Sequence, residues 1–196
     1  MQIEDILENN ANFVEEISAC DPLYFSQLAS HQQPHTLWIT CADSRVSPEI
    51  LTGCRLDDLI VLRIPACDCG SNSAILHYTL AYALQCLSVR QIVVCGHSHC
   101  DTVRAAIRPG FPDSADLLLH LRQLYRDNST LFEVLATEDA QCELLCQLHT
   151  RCQVDHLQSL VTAVLGTQPT AGVSPQVKII PLYLHLETGL LERLDI

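Results

Sequence analysis

Two short segments of this chain carry residues that bind metals. Cys41-Ala42-Asp43-Ser44-Arg45 follows one apolar run, and Gly96-His97-Ser98-His99-Cys100 follows another. Cys41, His97 and Cys100 together offer two thiolates and an imidazole. A Cys2His set suits zinc and leaves the fourth tetrahedral position for water. Structural zinc knuckles use two tight Cys pairs, and this spacing is different. Asp43 and Arg45 stand beside the first ligand. Alternate residues of an extended segment point the same way, so the two side chains can meet there. Two thiolates neutralise the charge of the ion and weaken its pull on a bound water. A carboxylate that accepts a hydrogen bond from that water would orient the resulting hydroxide. Asp43 is assigned that role, and Arg45 that of holding Asp43 ionised and in place. Taken singly, Cys41 reads as a small buried apolar residue, and Asp43 with Arg45 as a surface pair. His99 reads as a loop histidine or, given the usual imidazole pKa, as a proton shuttle. Cys142, Cys146 and His149 fall at i, i+4 and i+7 on one helix face. That stripe reads as core packing rather than as a second metal site.

The elements must bring the two segments together. Leu37 to Thr40, Leu59 to Ile64 and Gln91 to Cys95 read as short buried strands, the third stopped by Gly96. Val177 to Leu186 is a further strand, and Thr188-Gly189 turns the chain. Helical spacing covers the first 30 residues, with Asp21-Pro22 opening a helix over Leu23 to Ala29. Further helices are expected over Ser73 to Leu87, Ser114 to Arg126 and Glu138 to Leu165, with a loop from Gly166 to Pro175. Strands alternating with helices predict an α/β fold: a mostly parallel central sheet, flanking helices and an N-terminal helical arm. Residues 1–196 read as one domain, with 1–33 the arm and 34–196 the core that carries the zinc site. In such sheets ligands bind beyond the carboxyl ends of the strands, which are Thr40, Ile64 and Cys95 here.

Composition narrows the function. The net charge is −12, with only 11 Lys plus Arg, which argues against nucleic acid and anionic membranes as partners. No apolar run approaches a bilayer span, and the acidic start lacks the basic residues of a secretory signal. A cytoplasmic location is the expectation. The 11 cysteines are an odd number, and reduced thiols plus a metal site fit them better than a disulfide framework.

The two motifs resemble those of the β-class carbonic anhydrases. LWITCADSRV is similar to the first family motif, and VVCGHSHC to the second. The resemblance covers about residues 10 to 193. It implies zinc held by Cys41, His97 and Cys100, reversible hydration of carbon dioxide to bicarbonate and a proton, and a homodimer or higher homo-oligomer built with the helical arm. In one subgroup Trp, Arg and Tyr bind an inhibitory bicarbonate, and Trp38, Arg63 and Tyr183 stand where these are expected. There Asp43 would become the fourth zinc ligand in a closed state. The plainer reading makes Trp38 and Tyr183 core aromatics and Arg63 a structural partner.

The chain departs from the family pattern at Asp101-Thr102, where small residues are usual. It also departs at Ile64-Pro65, at Ala81 and at Pro181. These changes touch the pocket walls and remove no ligand. They motivate two rival readings. One is a zinc-dependent hydrolase of carbon disulfide or carbonyl sulfide. The other is a non-catalytic zinc-stabilised scaffold or bicarbonate-binding module.

Overall fold

The computed structural model describes residues 2–70, 73–108, 116–166 and 177–195. The chain divides into two compact units, with the boundary between Gln33 and Pro34. The first unit holds α1 (Ile3–Cys20) and α2 (Tyr24–Ser30). Asp21 Oδ1 accepts the Leu23 amide at 3.1 Å at the junction of the two helices. No residue of α1 is buried, and Ile3, Ile6, Leu7, Phe13 and Val14 stay exposed.

The second unit runs β1 (Thr36–Thr40), α3 (Pro48–Thr52), β2 (Leu59–Arg63), a 3₁₀ turn (Pro65–Cys67) and α4 (Ala74–Ala81). A π-turn (Tyr82–Cys86), β3 (Gln91–His97), α5 (Asp101–Ile107), α6 (Asp116–Asp127) and α7 (Ser129–Glu133) follow. It ends with α8 (Glu138–Gly166), β4 (Lys178–His185) and β5 (Leu190–Arg193). The strands form one five-stranded sheet in the order β2-β1-β3-β4-β5. All pairs are parallel except β4 with β5.

β1 is buried along its whole length, as a central parallel strand covered on both faces must be. Leu37 and Ile39 face one core with Leu76, Leu80, Ile92 and Val94. Trp38 faces the other, with Val93, Cys95 and Leu184. The expected helix over Ser73 to Leu87 is present only in part. It stays α-helical to Ala81 and then widens into the π-turn. The short helices α3, α5 and α7 and the hairpin strand β5 are too brief for periodicity to reveal. The expected start of α6 at Ser114 and the loop at 167–175 lie outside the described residues.

Gly96 corrects one expectation. It does not stop β3 but lies within it, paired with Tyr183 of β4. Its role is room. A Cβ there would fall 2.0 Å from Thr150 Oγ1 of α8, which donates to the Cys146 carbonyl at 2.8 Å. The bare backbone lets α8 press onto the strand that delivers His97. Gly96→Ala should therefore cost about 1–3 kcal/mol of stability in denaturant unfolding, and Thr150→Ala in the same chain should return part of it. A Gly96→Ala variant as stable as the parent would contradict this packing.

Candidate metal centre

The parallel register pairs Thr40 with Cys95, so β1 and β3 end side by side. Cys41 is the first residue beyond β1, and His97 is the last of β3. Three residues later Cys100 forms the N-cap of α5. His99 makes that tight return possible with a left-handed backbone, φ +52°. All three side chains are buried, and their ligand atoms lie within 4.8 Å of one another. Among the described residues they are the only group of His, Cys, Asp or Glu side chains that meets this test.

Two observations fit a zinc ion there. The Cys41 and Cys100 sulfurs are 3.9 Å apart. Two thiolates on one tetrahedral zinc stand about 3.8 Å apart, given Zn–S bonds of roughly 2.3 Å. His97 Nδ1 lies 2.8 Å from the Ser98 carbonyl, which can only accept, so Nδ1 carries the proton. The lone pair is then on Nε2, which is buried with no hydrogen-bond partner among the described residues. That is the tautomer a metal requires, fixed by the hydrogen bond on the far nitrogen.

The thiols are already polarised. The Cys100 thiol donates to Cys41 and draws the Cys41 pKa well below the usual thiol range against the cost of burial, and His97 lowers it further. The shared proton pushes Cys100 the other way. Burial works against a charged His97, but the Cys41 thiolate outweighs it and raises the imidazole. The Ala66 amide lies 3.3 Å from Cys41 Sγ. Ala66 and Cys67 take φ values of +55° and +62°, a strained geometry for non-glycine residues. This contact was not legible in the sequence, because no residue type announces a left-handed backbone here.

Asp43 and Arg45 meet, though by a turn and not by strand alternation. The Asp43 Oδ1 accepts the Arg45 amide at 2.9 Å, closing an Asx turn, and also accepts Nε at 2.9 Å. Arg45 Nη2 donates to Oδ2 at 2.6 Å. This two-pronged hold lowers the Asp43 pKa to about 2, chiefly through the Arg45 side-chain bonds and against burial. Asp43 is tied to Arg45 and is not part of the close-packed ligand set. Arg45 also reaches the His99 carbonyl at 3.1 Å and stands 3.8 Å from Asp101. Asp101 thus faces Arg45 from a largely exposed position.

Trp38, Arg63 and Tyr183 do not assemble into one pocket. Trp38 packs on one face of the sheet with Val93 and Cys95, whereas Tyr183 is wholly buried on the other face. The reason is strand parity. Trp38 registers with Val93, and Val93 with Ile180, so Tyr183 points oppositely from an odd offset. Arg63 instead braces the first ligand segment. Its Nε donates to the Cys41 carbonyl at 3.3 Å, and its Nη2 donates to the Asp43 carbonyl. His99 Nε2 pairs with Glu187 Oε1, and Ser98 Oγ donates to Glu187 Oε2 at 3.0 Å. Glu187, in the turn before β5, was not foreseen. Ile64, Pro65 and Ala66 follow β2 toward the site. Cys142, Cys146 and His149 are all buried on α8.

No helix among the described residues is long and apolar enough to cross a membrane. The family model for carbonic anhydrases matches residues 36–191. A carbonic anhydrase of Emericella nidulans is 30% identical over 202 residues, covering 98% of this chain and 83% of its own. One from Synechococcus elongatus is 31% identical over 147 residues, and the match spans 71% of this chain but only 48% of the relative. The Coccomyxa β-carbonic anhydrase solved with acetazolamide superposes with a TM-score of 0.87 at 25% identity, covering 98% of this chain and 86% of that one. Two tetrameric β-carbonic anhydrases of Sordaria macrospora share the fold, the match having a TM-score of 0.87 at 22% identity over 99% of this chain and 97% of the other.

Cys41→Ser should leave the fold intact by circular dichroism and bind one zinc fewer per chain in metal analysis, because it removes the best-polarised ligand. Unchanged zinc content would contradict the site. With both ligand segments, the sheet that aligns them and the family match in agreement, this chain belongs to the β-carbonic anhydrases.

Proposed function

We propose that this chain catalyses the reversible hydration of carbon dioxide to bicarbonate and a proton, with zinc held by Cys41, His97 and Cys100. The observation that carries the reading is the convergence of two thiols and a correctly protonated imidazole beside an ionised Asp43. When bound, zinc acidifies a water enough to make it a nucleophile near neutral pH. The chain's residues do the rest. Cys41 and Cys100 supply negative charge, and the Ala66 amide steadies the Cys41 sulfur. Asp43 offers a fixed, ionised acceptor for the water proton, while Arg45 keeps that carboxylate aimed and charged. Arg63 holds the backbone on which Cys41 and Asp43 sit and acts as a positioning residue.

The formed Asp43–Arg45 pair supports the open arrangement, with Asp43 off the metal. The separation of Trp38 and Tyr183 removes the basis for a bicarbonate site built from Trp38, Arg63 and Tyr183. A homo-oligomer is part of the reading. The uncovered apolar stripe on α1 supports it, as does the tetrameric state of the Sordaria macrospora enzymes. A reducing, cytoplasmic setting accords with eleven cysteines that all remain unpaired.

Stopped-flow measurement of carbon dioxide hydration on zinc-loaded protein tests the assignment. Asp43→Asn should retain zinc and fold but lose roughly 10²-fold or more in rate, the scale of losing one fixed electrostatic group. Near-parental activity would remove Asp43 from the mechanism. Sulfide release from carbon disulfide, with no hydration of carbon dioxide by the parent, would favour the hydrolase reading instead.

A further inference from the structure

A second group of side chains of metal-ligating types, more widely spaced than the first, lies away from Cys41, His97 and Cys100. His120 of α6 stands with His149 and His156 of α8. The ring centres of His120 and His149 are 6.0 Å apart, and those of His120 and His156 are 5.8 Å apart. His120 Nε2, His149 Nε2 and His156 Nδ1 are all buried atoms with no hydrogen bond closed among the described residues. His97 Nε2 at the zinc site bears the same mark. Orphaned buried nitrogens are costly unless a ligand satisfies them, and His120 and His156 each present one. Gln153 Oε1 accepts the Cys69 amide, so its Nε2 donates to His149 Nδ1 at 3.2 Å; His149 then carries its proton on Nε2, toward the Ala66 backbone, and packs behind the other two rings without a free lone pair.

Beside them lies a cavity of about 200 Å³, lined by Asp68, Gly70, Asp116, Leu117, His120 and His156. Gly70 shows how the space is used. A Cβ there would sit 3.1 Å from His156 Nδ1 and 3.4 Å from Asp68 Oδ1. The imidazole nitrogen and the carboxylate oxygen thus both border the point that a side chain at residue 70 would fill. Asp68 is itself buried, at 6% exposure. Its Oδ1 accepts the Gly70 amide at 3.1 Å, which leaves further lone pairs. Two carboxylates beside imidazole nitrogens favour a cation over an anion. Nitrogen donors with a carboxylate suit zinc and its neighbours rather than calcium or magnesium.

We propose that His120, His156 and Asp68 form a second site for a divalent transition-metal ion. Imidazoles sharing one tetrahedral zinc place their ring centres about 5 Å apart, given Zn–N bonds near 2.0 Å. The rings here must close by about that difference, a small side-chain movement. An ion there would tie α6 and α8 to the loop at residues 66–70. That loop contributes the Ala66 amide to Cys41, and Gln153 of α8 already anchors it at Cys69 at 2.7 Å. The site is a brace on the segment that supports the Cys41 sulfur.

The test uses zinc alone as the probe. The whole protein is equilibrated with excess zinc, desalted and analysed for metal and concentration. Parent protein should hold two zinc ions per chain. The double variant Cys41→Ser, Cys100→Ser should hold one, and added zinc should raise its melting temperature. His156→Gln and, separately, Gly70→Ala should also hold one. Gly70→Ala removes no ligand and fills the cradle, so it decides the matter even if His156→Gln fails to fold. Cobalt in place of zinc separates the two sites. The double variant should show visible d–d bands with no thiolate charge-transfer band, whereas Gly70→Ala should keep that band. A parent with one zinc that the double variant loses would overturn the proposal. Two zinc ions in parent and Gly70→Ala alike would overturn it as well. Neither result counts against Cys41, His97 and Cys100, whose failure would appear as a missing charge-transfer band in the parent.

Discussion

The parallel pairing of β1 with β3 is the constraint on which the rest of the molecule depends. Thr40 opposite Cys95 is a register of backbone hydrogen bonds, reinforced by Thr40 Oγ1 donating to the Cys95 carbonyl at 3.0 Å. Because of it, residue 41 of one strand end and residue 97 of the other emerge at the same edge of the sheet. A slip by one residue would draw Cys41 along the sheet away from His97 and Cys100 and turn every β1 side chain to the other face. The burial of both strands on both faces makes such a slip expensive. Leu37 and Ile39 would leave their core, and Trp38 would enter it in their place.

Around that register the chain accepts local cost to place polar groups on the ligands. Ala66 and Cys67 adopt left-handed backbones in succession, and the amide so exposed meets the Cys41 sulfur. His99 does the same between His97 and Cys100. Strain of this kind, about 1–3 kcal/mol per residue, persists only where surrounding structure over-determines it. Here the surroundings are α8, pressed close through Gly96 and Thr150, and the arginines. Arg45 fixes the Asp43 side chain, and Arg63 fixes the backbone of the same segment. Two cations beside a loop with two thiols and a carboxylate also offset its negative charge.

Much of this was legible in the sequence. The ligand residues, Asp43 and Arg45 are named by residue type and by position at strand ends, and buried strands show as short apolar runs. What the sequence hid depends on backbone geometry. Gly96 read as a strand stop because glycine usually punctuates, whereas its function is to admit Thr150. Arg63 and Tyr183 suggested an anion site with Trp38, but strand parity sends Tyr183 to the opposite face. The Asp43–Arg45 pair was foreseen for the wrong reason, since an Asx turn and not strand alternation joins them. His149 read as part of a core stripe with Cys142 and Cys146, and His120 and His156 escaped notice because they belong to two helices whose packing no local pattern encodes.

The proposed hydration of carbon dioxide rests on one zinc ion held between the two strand ends. Returning zinc stepwise to chelator-stripped protein, and measuring the hydration rate against bound zinc, tests it most directly. The rate should rise in proportion to zinc bound through Cys41 and Cys100, tracked by the cobalt-competed thiolate band, and level off when that site is full. Full occupancy of the thiolate site with no hydration from neutral to mildly alkaline pH would contradict it.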